Sequence, residues 1–315
     1  MKLIRGLQNL KPLHQTEIAT IGNFDGIHLG HQKILSKIVA QAREKKAKCT
    51  VICFEPLPQE FFLGDKAPAR LTPLRDKFLL VKEMGVDQLL CINFNANAAA
   101  TSAKDFVEKV LVDGLQIKQL KVGDDFRFGK DRTGDFEFLK KMGAKHDFEV
   151  LNTQTLRDNA TDQRISSTLI RTALDHADMH RVSELLGREF SMGGIVIHGD
   201  KRGRQLGFPT ANVSIARRVS PIRGVFAVEV EGLAEQRLPG VANIGTRPTV
   251  GGTGFLIEVH LLDFEKDIYG QRINTIFKQK IRDEQKFDGL DELVKQIAKD
   301  KKTALNYFGK MRERL

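Results

Sequence analysis

The hydrophobic pattern of this chain changes texture near residue 190, and no single layered architecture accommodates both halves. From residue 18 to about 185, short apolar runs alternate with helical stretches: "TVICF" follows the helix-spaced "HQKILSKIVAQAREKK", "RDKFLLVKEMG" leads into "QLLCINF", and "AKDFVEKVLVDGL" leads into "QLKVGDDF". That order predicts a mostly parallel sheet with helices on both faces. The helical region "SSTLIRTALDHADMHRVSELLGREF" closes this half. Past Gly193 the runs shorten and alternate, punctuated by glycine and proline: "GGIVIHG", "GVFAVEVEG", "GVANIG", "GFLIEVHLLDF" and "QRINTIF". Such spacing argues for an antiparallel sandwich or barrel. The last segment, "GLDELVKQIAKDKKTALNYF", returns to helix spacing through Leu290, Leu293, Val294, Ile297 and Ala298. With roughly one domain per 150 residues, a chain of 315 residues is expected to form two, 1–186 and 187–315, joined near residues 186–192 without a long linker or an internal repeat.

Composition narrows the partners. A formal charge of +10 suits a polyanionic ligand, and equally a basic solvated surface. No apolar stretch approaches the ~18 residues a membrane helix needs, and "MKLIRGLQNLKPLHQ" lacks the apolar core of a signal peptide. A cytoplasmic protein with no membrane partner is therefore expected. Of three cysteines, Cys49 and Cys53 lie four apart in the strand-like "CTVICF", on one face and ~13 Å apart. That distance excludes a bond between them, and reduced, buried thiols are the expected state.

Chemistry concentrates first in "TIGNFDGIHLGH", residues 20–31, between an apolar run and a helical pattern. A strand-to-helix turn at the carboxyl end of a strand is where open α/β sheets bind ligands. There the helix start offers free N–H groups and the positive end of its dipole to a phosphate. Gly22, Gly26 and Gly30 suit any tight turn. His28 and His31 could be metal ligands, but the other histidines are scattered singly with no cysteine nearby. Imidazoles so placed can instead donate to phosphate oxygens and stabilise charge that builds up on a pentavalent phosphorus.

"GNFDGIHLGH" resembles the nucleotide-binding signature of the HxGH nucleotidyltransferases, and "ISSTLIR" (165–171) resembles their second signature. In chemical terms Ser167 and Thr168 can cap a helix facing phosphates, and Arg171 offers a forked donor to them. The resemblance implies ATP contacts from Gly22, Asn23, Phe24, Asp25, Gly30, Arg164, Ser167 and Thr168, and catalytic roles for His28, His31 and Arg171. More narrowly, "FEPLPQEFF" and "VGDDFRFGKDRTGD" are similar to the adenylyltransferase half of bacterial bifunctional riboflavin kinase/FAD synthetases. This implies flavin contacts from Pro56, Pro58, Phe62 and Asp125, the last standing where the family pattern often has Asn or Tyr. On the residues alone, Pro56 and Pro58 end a strand, Phe62 packs in a core, and Asp124 with Asp125 makes a solvated turn.

"GDKRGRQLGFPTANV" (199–213) opens the second half. Gly203 and Gly207 let backbone approach a phosphate, and Lys201, Arg202 and Arg204 supply charge, although a charged hairpin turn would look the same. Thr210 and Asn212 alternate onto one strand face and offer hard oxygen ligands suited to Mg²⁺. In "FLIEVHLLDF", Glu258 and His260 fall on one face, with Ile257, Val259 and Leu261 on the other. Glu258 is either a salt-bridge partner or a general base for an attacking hydroxyl.

The run GxxxGRxLGFPTAN, then "NIGTRPTVGG", then ExHLLDF resembles the flavokinase module, so that resemblance to the bifunctional enzymes covers residues 15–310. It implies a Rossmann-like nucleotidyltransferase domain followed by a six-stranded antiparallel barrel with a terminal α-helix. It also implies Mg²⁺ and ATP held by Thr210 and Asn212, catalysis by Glu258, and ATP or flavin contacts from Gly199, Lys201, Gly203, Arg204, Gly207, Pro209 and Asn243. The implied chemistry is phosphorylation of riboflavin to FMN and adenylylation of FMN to FAD. Small molecules are then the partners of a monomer or weak transient oligomer. Two other readings stay open. HxGH and SSTxxR do not identify the acceptor, which could be phosphopantetheine or a phosphocholine-like group. A basic β half could also bind nucleic acid, though stacking aromatics are few there, with no Trp and only Tyr269 and Tyr307 for tyrosines.

Overall fold

A computed structural model describes residues 1–123, 125–153, 156–158, 160–199, 208–215, 219–249 and 252–312. By its contacts the chain divides into two compact units, Met1–Pro68 with Thr72–Ser167, and Ala69–Leu71 with Thr168–Leu315. This division falls at Ser167, earlier than the residue 186 boundary read from the hydrophobic pattern.

The first unit is built on a six-stranded sheet in the order β1-β4-β3-β2-β5-β6. Its strands are β1 (Lys2–Arg5), β2 (Ile18–Ile21), β3 (Cys49–Glu55), β4 (Gln88–Asn93), β5 (Gln119–Val122) and β6 (Glu149–Asn152). Every neighbouring pair is parallel. The central strands are buried on both faces and read as continuous apolar runs, as parallel sheets require. One face is covered by α1 (Leu29–Glu44), whose Leu35, Ile38 and Ala42 recur at helical spacing, and by a later helix carrying Val81. After the short α2 (Pro58–Leu63), that helix is α3 (Leu74–Glu83). Following the single-turn α4 (Ala96–Ala100), the opposite face is covered by α5 (Ala103–Phe106), which continues as a wider π-type segment, Val107–Gly114, and by α6 (Phe136–His146).

The chain runs from β2 outward through β3 and β4, then returns to the other side of β2 as β5 and β6. The connections after β2 and β5 therefore diverge, and the loops at their carboxyl ends border the crevice where such sheets take ligands. The motif at residues 22–31 follows β2, and "GDDFRFG" follows β5. Cys49, Cys53 and Cys91 are all free and buried. Burial pushes the Cys49 thiol up to about 11, so it stays protonated at neutral pH.

The second unit begins along α7 (Ser167–Asp175) and continues through α8 (Met179–Leu186), which Asp178 caps by accepting from the Arg181 N–H and Gly187 ends at φ 67°. Six strands then close a barrel in the order β10-β11-β8-β7-β12-β9, every pair antiparallel. They are β7 (Ser191–Ile197), β8 (Ala211–Ser214), β9 (Gly224–Glu231), β10 (Leu238–Thr249), β11 (Gly252–Leu261) and β12 (Arg272–Arg282). Val196, Val213, Ile244 and Ile257 fill the interior, beside Phe226 and Phe277 packed edge to face at 5.5 Å. The parallel sheet, the closed antiparallel barrel and the terminal helix Leu290–Arg312 agree with the fold read from the sequence.

That terminal helix differs in its buried stripe. Leu290 is 65% exposed and Ala298 also faces solvent, whereas Leu293, Val294 and Ile297 are half-buried and Asp300 and Ala304 fully so. The periodicity shifts because Asp300 is an anchor: it accepts from Arg282 Nε at 3.0 Å and from its terminal nitrogen at 2.8 Å, tying the helix to β12. Removing one member of a buried, forked pair strands the other charge, at a cost of ~3 kcal/mol. Asp300→Ala should therefore lower unfolding free energy by about that amount in a denaturant titration. The apolar double substitution Asp300→Leu with Arg282→Met should recover most of it.

Candidate active sites

In the first unit the strained turn after β2 determines the site. Phe24, Gly26 and Ile27 have φ values of 47°, 91° and 42°, so three of four successive residues are left-handed. Only Gly26 among the motif's glycines uses its freedom at positive φ. Gly22 and Gly30 have ordinary φ and serve by being small: a Cβ on Gly22 would stand 3.3 Å from the Phe24 ring, and one on Gly30 3.1 Å from the His28 ring. Tight turning alone thus does not explain them. The Asp25 carboxylate is buried and accepts from the Thr72 N–H at 2.9 Å, so it braces the turn. Asn23 is exposed, and its carbonyl accepts from the Lys77 ammonium at 2.6 Å.

His28 occupies the N-cap of α1, its Nδ1 accepting from the His31 N–H at 3.3 Å. That bond fixes the tautomer, leaving the proton of a neutral ring on Nε2. The two imidazoles stack with centroids 3.6 Å apart, and Phe24 closes on His31 edge-on at 5.1 Å. The Nδ1 of His31 is sealed from solvent and has no hydrogen-bond partner among the described residues. Burial first, and then electrostatic repulsion from neighbouring His28, Lys77 and Arg164, holds His31 well below the ordinary imidazole range.

Ser167 is the first residue of α7 and does not cap it; its hydroxyl donates to the Asp25 carbonyl at 2.8 Å, and Ser166 stands at the preceding position. Thr168 is exposed in the first turn, and Arg171, one turn on, donates through Nε to the Ala69 carbonyl at 2.7 Å. Arg164 and Asp125 form a two-pronged ion pair, so the acidic residue has a basic partner and is more than a solvated turn; Asp124 lies outside the described residues. After β3, Pro56 leaves the strand and Pro58 opens α2. Phe62 is 66% exposed, which rules out the core reading of that residue. It packs edge-on against Phe61 at 5.2 Å and Phe94 at 5.8 Å, giving an open aromatic cluster beside the ends of β3 and β4.

Lys77 and Phe94 were not singled out from the sequence. For Lys77 a signal existed: it stands four residues before buried Val81 and three after Leu74, on the apolar stripe of α3. Phe94 becomes a partner of Phe61 and Phe62 only through the pairing of β3 with β4.

In the second unit register forms the site. Glu258 on β11 lies opposite Asn243 on β10 and opposite Asn212 on β8. The three share the face turned away from the barrel interior, since Ile257 and Val259 on either side of Glu258 are wholly buried. Thr210 precedes β8 and is exposed, so the expected strand alternation begins one residue later, at Ala211. Asn212 is only 8% exposed, and its amide lies so close over Gly199 that a side chain there would collide with it. His260, two residues along the same face, donates from Nδ1 to the Pro209 carbonyl at 2.9 Å. Lys201, Arg202, Gly203, Arg204 and Gly207 lie outside the described residues. Asn212 stands beside the Glu258 carboxylate in the register, with Thr210 two residues before it, and these are oxygen donors of the type Mg²⁺ takes.

The FAD synthetase family model matches residues 10–169, and the riboflavin kinase family model matches residues 186–308. Bifunctional riboflavin kinase/FMN adenylyltransferase of Escherichia coli (strain K12) is 50% identical over 310 residues, covering 98% of each chain. The protein of the same description from Haemophilus influenzae is 44% identical over 308 residues, covering 98% of this chain and 99% of its own. A crystal structure described as a macrolide-efflux protein from Streptococcus pneumoniae superimposes with a TM-score of 0.79 at 30% identity, covering 97% of this chain and 99% of that one. Among the described residues no helix is long and apolar enough to cross a membrane. Matched along both halves, and at 50% identity over 98% of its length, the chain belongs to the bifunctional riboflavin kinase/FMN adenylyltransferase family.

Proposed function

We propose that the chain performs both reactions for which its relatives are named, with residues 1–186 as the FMN adenylyltransferase and 187–315 as the riboflavin kinase. The observation that carries the reading is the stacked His28–His31 pair, 3.6 Å between rings, at the start of α1 and beside the sheet's switch point. That is where a nucleotide phosphate meets helix N–H groups and neutral imidazole donors.

In the adenylylation, a phosphate oxygen of FMN attacks the α-phosphorus of ATP, the bond to the β-phosphate oxygen breaks, and pyrophosphate leaves. His28 and His31 stabilise the charge that gathers on the α-phosphate, and Arg171 takes the departing phosphates. Gly22, Asn23, Phe24, Asp25, Gly30, Arg164, Ser167 and Thr168 shape the nucleotide pocket. Pro56, Pro58, Phe62 and Asp125 receive the flavin, and exposed Phe61 and Phe62, packed on half-buried Phe94, offer its ring a stacking surface, which favours FMN over an acceptor without a flat ring system.

In the kinase reaction the 5′-hydroxyl of riboflavin attacks the γ-phosphorus of ATP, its proton passes to Glu258, and ADP leaves. Asn212 and Thr210 would hold Mg²⁺, which would supply charge neutralisation on the phosphates. Gly199, Lys201, Gly203, Arg204, Gly207, Pro209 and Asn243 complete the ATP and flavin contacts. A monomer or weak transient oligomer in the cytoplasm, acting on small molecules with no nucleic-acid or membrane partner, completes the proposal.

Glu258→Gln should reduce riboflavin phosphorylation by ~10²–10⁴-fold while FAD formation from FMN continues at the wild-type rate, read by separating the flavins. His28→Ala with His31→Ala should do the reverse, cutting adenylylation by ~10²–10³-fold and sparing the kinase. Near-normal turnover in either targeted reaction, with the protein folded, contradicts the role assigned.

Protonation gives a further prediction. His31 is held neutral in the fold but protonates near 6.5 once unfolded, so the unfolded chain binds more protons as pH drops. Its stabilising contribution is present above about pH 6.5 and is lost below it. Buried His14, depressed first by burial and then by Lys2, Lys11 and Lys48, acts in the same direction. Unfolding free energy should therefore fall as pH is lowered from ~7 to ~5, and His31→Asn should make that slope shallower without abolishing it.

A further inference from the structure

Lys77 is 1% exposed and ranks among the largest wholly buried side chains, although it belongs to none of the motifs. A lysine at such depth ordinarily has a carboxylate partner. This one forms no ion pair with a carboxylate among the described residues; its Nζ donates to the Asn23 carbonyl at 2.6 Å. The acceptor lies in the strained turn whose left-handed residues Phe24, Gly26 and Ile27 lead directly into the His28 cap of α1. Glu55 acts on Cys91 alongside Lys77, and the Asp25 carboxylate is buried in the same loop, so the neighbouring charge is mixed in sign. Asp25 accepts from the Thr72 N–H, while Arg164 and Lys77 both press positive charge on His31. A cation held directly against this loop adds its charge to the loop's field. A polyanion placed there gains from a charge that no water screens.

We propose that Lys77 is a positioning residue for adenylyl transfer: it clamps the Gly22–His28 loop through Asn23 and supplies a fixed positive charge whose counter-charge is the polyphosphate of the bound nucleotide. Lys77 acts through the loop, and the inference rests on the reading of the first unit as an FMN adenylyltransferase. Retaining an ammonium in an apolar stripe at a cost to folding is explained if the charge is used when the triphosphate arrives.

The test compares Lys77→Met and Lys77→Arg in the full-length chain, with FMN, ATP and Mg²⁺ for adenylylation and riboflavin with ATP for the kinase. Methionine keeps most of the side chain's length and removes the charge together with the hydrogen bond to Asn23, so the nucleotide-free melting temperature is measured beside activity to separate a loss of folding from a loss of charge. The expected result is a fall of at least ~tenfold in kcat/KM for ATP in adenylylation, carried mostly by KM, with kinase turnover unchanged. Lys77→Arg should recover part of the loss, and ATP should raise the melting temperature of Lys77→Met less than that of wild type. Adenylylation within twofold of wild type in Lys77→Met overturns the proposal. So does an equal loss in both variants accompanied by a lowered nucleotide-free melting temperature, since that marks a purely structural lysine. A wild-type chain that makes no FAD from FMN defeats the adenylyltransferase reading itself, and this inference with it, whereas a defect confined to the variants does not.

Discussion

The hydrogen bond from the His31 N–H to the His28 ring is short in reach and long in consequence. It caps α1 with an imidazole where most helices use a hydroxyl or carboxylate, so the acceptor that satisfies the helix start also carries a proton on its far nitrogen. Stacking then forces His31 against His28, Gly30 leaves room for the pair, and the left-handed turn from Phe24 to Ile27 delivers both to the end of β2. The braces on that turn come from distant points of the chain: Thr72 on Asp25, Lys77 on Asn23, and Ser167 on the Asp25 carbonyl. Conformational strain at φ values of 42° to 91° persists because several independent contacts determine it together.

The barrel solves a similar problem by other means. A closed antiparallel sheet fixes every residue's neighbour by register, so one carboxylate can be placed between two amides with no special loop. Its interior supplies rigidity: Ile257 and Val259 are wholly buried on either side of Glu258, and a slip of one residue would turn the carboxylate into the core. Around the same unit, Glu189 has its carboxyl raised by burial but held down more strongly by Lys278 and Arg237, so the ion network joins the start of the barrel to β12. Under the proposed assignments, two phosphate chemistries that break different bonds of ATP would rest on two scaffolds, one offering a helix terminus and one offering strand pairing.

Much of this was legible in the sequence because period and chemistry coincide there. The stripe Leu35, Ile38 and Ala42 reads as a helix and is one, and Glu258 falls opposite the apolar face as alternation requires. Legibility failed where a residue's surroundings depend on contacts distant in sequence. A lysine reads as a solvated residue, yet Lys77 is buried; Phe62 reads as core, yet stands exposed with Phe94, which joins it only through strand pairing. Ser167 reads as a cap, but its hydroxyl is drawn to Asp25, a residue brought near only by the fold. Likewise Leu290 keeps helical period but lies off the stripe that the Asp300–Arg282 pair selects.

The central claim is that one chain carries two separate phosphate chemistries in sequence. A time course of the purified protein with riboflavin, excess ATP and Mg²⁺, flavins separated by chromatography, tests it most directly. FMN should appear first and FAD follow, and a parallel reaction started from FMN should yield FAD with one pyrophosphate per FAD. Riboflavin left unchanged would contradict the barrel's assignment, and FMN that accumulates without FAD or pyrophosphate would contradict that of the parallel-sheet unit.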